Sequence, residues 1–323
     1  MPRPASPGRV TGPAATSAEW WRQAVVYQVS PRSLAAPAAG PGPATHPGPA
    51  THPGTGLTAD LRGVIAQISY LALLGIDAVW LSPVDPSALA DDGYDFDEMS
   101  SGLQAHGIKV IVDVAPSDAS NPHPWFTDAL AAAPPAPAAG RSIFRDGLGQ
   151  AFTFDLLEAG WDSGEFLTVI TDNLAAAQQY GASATWVLSS YDATPRRARA
   201  AALLMLALPG SAYLGQGEEL GLHRVTDLAR SVGLQQHDPD STLNLYRQAL
   251  GWRRKLQGAE RLEWMPGTSG QVLHFGRPGG WRSVTNFGPR AVPLPPGTVV
   301  VASAPLQAGL LPADTTAWII PGG

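Results

Sequence analysis

The sequence predicts an α/β chain in two parts: a parallel sheet of about six recognisable strands interleaved with helices over residues 18–258, then a small β-sandwich-like unit over 259–323. Three observations carry this. Short apolar runs stopped by proline alternate with stretches of helical period, and the links between them are a few residues long. Beyond residue 258 the helical period gives way to brief β-rich runs split by Gly/Pro turns. At 323 residues and 44% hydrophobic, the chain is long enough for one large core and a small one.

Residues 1–17 are Pro, Ala, Gly and Ser with little to bury, and read as a disordered tail. Structure begins at Trp20-Trp21, and Val25–Ser30 before Pro31 is the first strand. Residues 35–55 form a low-complexity loop in which Ala-Thr-His-Pro-Gly is repeated at 44–48 and 50–54. His46 and His52 lie in that repeat, where a Pro/Gly loop gives two imidazoles no fixed geometry, so no metal site is expected. Asp60 is placed to cap a helix carrying Leu61, Val64, Ile65, Ile68 and Leu71, closed by Gly75. The strand Ala78–Pro83 follows at once, completing a strand-helix-strand unit of the kind that builds parallel sheets.

The pattern then recurs. A short helix near Ser100–His106 leads into a strand at 109–116, and further strands are read at 151–156, 184–190 and 211–215. Helices are read at 166–180, 196–208 and 243–256. Trp80 and Trp186 fall inside apolar strands as core. The terminal unit contributes 272–275, 281–286, 299–301 and 318–320 as strands.

Composition narrows the function. A net charge of −6 without a Lys/Arg stripe offers nucleic-acid phosphates nothing to hold. The absence of cysteine excludes disulfides and thiolate metal sites. No apolar run approaches the roughly 20 residues of a membrane span, and residues 1–17 lack a signal peptide's apolar core. The chain is expected to be cytoplasmic, with no nucleic-acid or membrane partner and no cofactor.

Functional groups of a strand-helix barrel gather at the carboxyl ends of its strands. Those ends carry Tyr94 and Asp95, Asp113 and Asp118, Asp155 and Glu158, Tyr191 and Asp192, and Glu218 and Glu219. Carboxylates mixed with aromatic rings suit a polyhydroxylated sugar.

Read in order, Trp20–Val29, Gly75–Pro83, Asp92–Asp95, Val110–Pro116, His123–Phe126, Ile143–Gly147, Ala184–Asp192 and Leu208–Leu222 resemble the α-amylase clan, glycoside hydrolase family 13, and within it the bacterial α-glucosidases. The resemblance spans Trp20 to the C-terminus. It implies an incomplete or distorted (β/α)8 TIM-type barrel and an α-glucoside or malto-oligosaccharide as partner. By position it implies substrate binding at Tyr94, Asp95, Asp113, Asp118 and Tyr191, with Asp192 as the surviving transition-state stabiliser.

Several motifs depart from the family. Ser117-Asp118 stands where the family has Asn-His, and Ser190-Tyr191 stands before Asp192 where it has Asn-His. The Pro/His/Gly repeat replaces an acidic cation-binding loop. The family's Arg, its nucleophilic Asp and its general-acid Glu should lie between Gly147 and Ala151, where only Leu148, Gly149 and Gln150 are found. The leading expectation is a catalytically impaired pseudoenzyme with weak α-glucoside binding. An active α-glucosidase using replacement carboxylates is the alternative, with Asp155, Glu158, Glu218 or Glu219 as its candidates, although structural roles are expected for these. An association-only or decayed product is the third reading. Six strands leave either an unusual closure or two open edges, and open edges favour self-association.

Overall fold

The computed structural model describes residues 10–11, 17–29, 57–81, 93–112, 154–188, 193–222, 228–266, 268 and 270–322. Five parallel strands form the main sheet: β2 (Val25–Val29), β3 (Ala78–Leu81), β4 (Lys109–Val112), β5 (Thr185–Val187) and β6 (Ser211–Gly215). Their spatial order is β4-β3-β2-β6-β5. The first and last of them along the chain are therefore neighbours, with Val26 paired to Ala78 on one side and to Tyr213 on the other.

The connection from β2 to β3 runs through α1 (Leu57–Leu74), and that from β3 to β4 through α2 (Gly93–Ala105). Helix α1 lays Leu61, Val64, Ile68 and Leu71 against the sheet, all buried, in the spacing the sequence shows. Gly75 ends it at φ +91°, its N–H reaching the Leu71 carbonyl. The helix starts at Leu57, so Asp60 lies inside its first turn and not at the cap. Helix α2 likewise starts earlier than the Ser100 boundary, which places Tyr94 and Asp95 in its first turn.

The end of one expected strand is corrected: of the 151–156 run, residues 151–153 lie outside the described residues, and Asp155 and Leu156 belong to a short helix, α3 (Asp155–Glu158), held by Leu157 and Glu158 N–H groups on the Phe154 carbonyl. Leu156 is its single fully buried residue, so a helical turn buries the one apolar side chain that matters. Helix α4 (Ser163–Gln179) follows, with Asp162 accepting from the N–H groups of Gly164 and Glu165.

Helix α5 (Pro195–Ala207) links β5 to β6, and Ala200–Leu208 is buried without interruption. A helix apolar all round needs cover on more than one side. The sheet gives one side. The other comes from the terminal unit, in which β1 (Val10–Thr11), β7 (Arg261–Trp264), β8 (Val272–Gly276), β9 (Arg282–Asn286), β13 (Thr315–Ile320) and β11 (Thr298–Ala302) form one antiparallel sheet in that order. A separate two-stranded piece joins β10 (Val292–Pro293) to β12 (Leu310–Leu311). The β1 pairing of Val10 with Leu262 corrects part of the disordered-tail expectation.

Contacts between the two units are specific. Trp318 Nε1 donates to the Leu203 carbonyl at 3.0 Å, and Thr316 Oγ1 to the Ala200 carbonyl at 2.8 Å. Two helices complete the first unit: α6 (Leu228–Gln235), in a stretch for which no element was expected, and α7 (Thr242–Leu256). Arg253 of α7 is buried and donates to the carbonyls of Leu206, Leu208, Gly210 and Gln23, tying α7 to the start of β6.

Candidate functional site

The carboxyl ends of the parallel strands are where such a sheet offers a site. The described group there is the turn after β6. Gly217 and Gly221, at φ +85° and +67°, bracket a single 3-10 turn over Glu218–Leu220, and their left-handed backbone directs the two glutamates into different environments.

Glu219 is fully buried. Its Oε1 accepts from the Tyr27 hydroxyl at 2.9 Å and the Tyr70 hydroxyl at 2.5 Å. Tyr27 comes from the middle of β2 and Tyr70 from α1, so one carboxylate oxygen joins three elements. The Tyr27 oxygen also accepts the Gly217 N–H at 3.2 Å. Burial pushes the Glu219 carboxyl up to about 7 against the opposing pull of the two tyrosine hydrogen bonds. Burial, followed by the nearby Glu219 charge, pushes the Tyr27 and Tyr70 hydroxyls well up in turn.

Glu218 turns the other way. Its Oε2 accepts the Gly215 N–H at 3.0 Å, and its Oε1 accepts the Tyr246 hydroxyl of α7 at 2.9 Å. It lines a cavity of about 170 Å³ with Leu188, Arg199, Gln216, Thr242 and Tyr246. Arg199 Nη1 donates to Thr242 Oγ1 at 3.2 Å and Nε to the Ser303 carbonyl at 3.0 Å, while burial holds its guanidinium below the usual arginine range. The cavity is a small mixed apolar and polar recess between α5, the 3-10 turn and α7.

Asp95 sits in the first turn of α2 and is 6% exposed, accepting from Arg62 Nε of α1 at 3.1 Å. A carboxylate in a helix's first turn is favoured by the helix dipole, and the arginine adds to this. Helices of this sheet run back from the strands' carboxyl ends, so Asp95 lies at that end of the fold. Tyr94 precedes it in the same turn. Asp113, Asp118, Tyr191 and Asp192 lie outside the described residues, as do His123, Trp125 and the Gly147–Ala151 join.

Asp155 and Glu158 are exposed on α3, and Asn173 Nδ2 of α4 reaches Asp155 Oδ2 at 3.4 Å. The two glutamates after β6 were visible in the sequence as a pair with a supporting role. Their tyrosine partners were not singled out. The available signal was Tyr27 itself, a hydroxyl in the middle of a largely apolar strand that needs an acceptor.

Comparison with known proteins adds to this geometry. The family model described as alpha amylase, catalytic domain, matches residues 49–139. A trehalose-6-phosphate hydrolase of Escherichia coli is 34% identical over 127 residues, covering 34% of this chain and 20% of that protein. An oligo-1,6-glucosidase of Parageobacillus thermoglucosidasius is 34% identical over 125 residues, covering 34% and 19%. The match thus spans about a fifth of the length of these relatives. Among solved structures, a trehalose-6-phosphate hydrolase of Bacillus licheniformis aligns with a TM-score of 0.61 at 14% identity, over 93% of this chain and 99% of that one. Isomaltulose synthase of Erwinia rhapontici aligns with a TM-score of 0.63 at 14% identity, over 93% and 98%. At that identity the likeness is one of fold.

Proposed function

Because this chain is a relative of the α-amylase family of glycoside hydrolases, we propose that it is an α-glucosidase-like protein that has lost hydrolysis and retains weak binding of α-glucosides. The observation that carries the proposal is the three-residue spacing between Gly147 and Ala151, where the family resemblance requires an arginine, a nucleophilic aspartate and a general-acid glutamate. Retaining cleavage needs a nucleophile and an acid about 5–5.5 Å apart across the glycosidic bond. Acid-base catalysis alone contributes roughly 10² to 10⁴.

The arrangement of the remaining carboxylates supports this reading over one with replacement catalysts. Glu219 has the elevated pKa of a general acid, but its side chain is sealed under Tyr27 and Tyr70 and has no route to a sugar oxygen. Glu218 is committed to a backbone N–H and to Tyr246. Asp155 and Glu158 are exposed on a helix that packs beside α4. Binding is assigned to Tyr94, Asp95, Asp113, Asp118, Tyr191 and Asp192, with Asp192 as the retained stabilising carboxylate. The proposal extends to self-association, since β4 and β5 each pair on one side only among the described residues.

Calorimetric titration with maltose, with glucose release followed in the same samples, tests the reading. The expected result is a saturable millimolar heat, lost in Asp192→Asn, without release of glucose. Absence of any heat overturns retained binding, and release of glucose overturns lost hydrolysis.

A further inference from the structure

The terminal sheet carries a groove built by strand register. Side chains alternate along a strand, so Arg261 and Glu263 of β7 share one face, and Met265 follows just beyond the strand's end. Glu263 pairs with Gly276 of β8, and Gly276 pairs in turn with Arg282 of β9. With no side chain at Gly276 the face is cut down between the two charged neighbours. A Cβ there would meet Met265 Sδ at 3.3 Å, which marks how closely the groove wall stands. The β8–β9 turn, Arg277-Pro278-Gly279-Gly280, forms the remaining wall.

Three arginines and one glutamate therefore line one recess, in a chain whose overall charge is −6. Among the described residues none of the three arginines forms an ion pair. Arg282 donates to the Pro296 carbonyl. Arg277 is 6% exposed and spends one N–H on the Arg261 carbonyl at 2.6 Å, while its Nε has no acceptor. The Arg261 side chain has no hydrogen bond to any described residue, and its Nε is likewise without an acceptor. Burial, with the like charge of Arg253, pushes the Arg277 guanidinium down to about 9, so it remains cationic at neutral pH. The carboxylate that opposes this is Glu260, which already accepts from Ser183 Oγ and lies 4.0 Å from Arg22. A buried charge of this kind is ordinarily paired.

We propose that this groove is an oxyanion site that takes a phosphate group, either the free ion or the phosphate of a phosphorylated sugar. Arg261, with no hydrogen bond to a described residue, beside Arg277 and Arg282, each with further N–H donors after one is spent on a carbonyl, matches the several oxygens and double charge of phosphate better than a carboxylate.

The test uses the full chain, titrated at constant ionic strength with inorganic phosphate and with glucose 6-phosphate, and with glucose and chloride as controls. Phosphorus NMR and thermal unfolding provide the readouts. Saturable binding of a phosphate probe is expected, weakened about tenfold or more in Arg261→Gln, the loss that follows from removing one charge-assisted hydrogen bond. Arg290→Gln, which changes an exposed arginine between β9 and β10, is expected to leave binding unchanged. Equal affinity for the two probes identifies the free ion as the ligand, and tighter binding of the ester identifies a sugar phosphate; either supports the site. No saturation by either probe up to about 10 mM in folded protein overturns the proposal. Binding that is unaltered in Arg261→Gln also overturns it.

Discussion

Glu219 is a carboxylate that the fold prefers to keep protonated. In the unfolded chain it titrates near its ordinary 4.5, and in the folded protein near 7. The folded state therefore holds a proton that the unfolded state releases between those values, and stability falls as pH rises across that window. The contribution is full below about pH 4.5 and is lost on passing pH 7, with about 3 kcal/mol as its ceiling. Urea midpoints compared at pH 5 and pH 8 should show the wild type losing stability that Glu219→Gln does not lose. An equal pH slope in both proteins would refute the assignment. Tyr70→Phe removes the 2.5 Å bond to the same oxygen. It should cost about 1.5–3 kcal/mol, the range for hydrogen bonds to charged groups, and unfolding midpoints at pH 8 read this directly. Asp95 was legible in sequence as a polar residue near a strand's carboxyl end, and its Arg62 partner 33 positions earlier was not, because pairing across two helices depends on how they pack.

At the scale of elements, α5 joins the two units, and the Trp318 indole is its main anchor from the terminal sheet. Trp318 is fully buried, lies 5.2 Å from Trp281 between ring centres, and hydrogen-bonds to α5. Trp318→Ala should destabilise the protein by about 3–5 kcal/mol, measured by chemical denaturation, since both cavity and hydrogen-bond losses apply. Gly210, at φ +107°, lets β6 begin against β5; a Cβ there would stand 2.3 Å from the Ala184 carbonyl oxygen. Gly210→Ala should therefore lower the melting temperature by several degrees, as strain at a crowded left-handed position dictates. The strands β2, β3 and β6 were legible because each is a short apolar run bounded by Gly or Pro. The helical turn at Asp155–Glu158 was not, since so short a stretch fits the end of a buried strand and a helical turn equally, and burial of Leu156 decides. Helix α6 was missed because Leu228–Gln235 is only two turns long and Gly233 interrupts its helical period, although Asp227 stands before it in the sequence.

At the scale of the whole molecule, the fold is similar to that of solved structures such as isomaltulose synthase, and the proposed loss of hydrolysis rests on the sequence at Ser117-Asp118, at Gly147–Ala151 and at Ser190-Tyr191. β2 and β6, first and last of the parallel strands along the chain, are neighbours, and β4 and β5 each pair on one side only among the described residues. Burial patterns in the strands and in α5 made the architecture readable. Function was less readable, because a sugar site depends on side chains from several strand ends whose mutual placement no local pattern encodes. The turn after β6 shows this, where two adjacent glutamates face different tyrosines. The most direct test of lost hydrolysis is turnover of 4-nitrophenyl α-D-glucopyranoside by purified protein. The expected rate equals the buffer background and is unchanged in Asp192→Asn; turnover above background that Asp192→Asn abolishes would overturn lost hydrolysis.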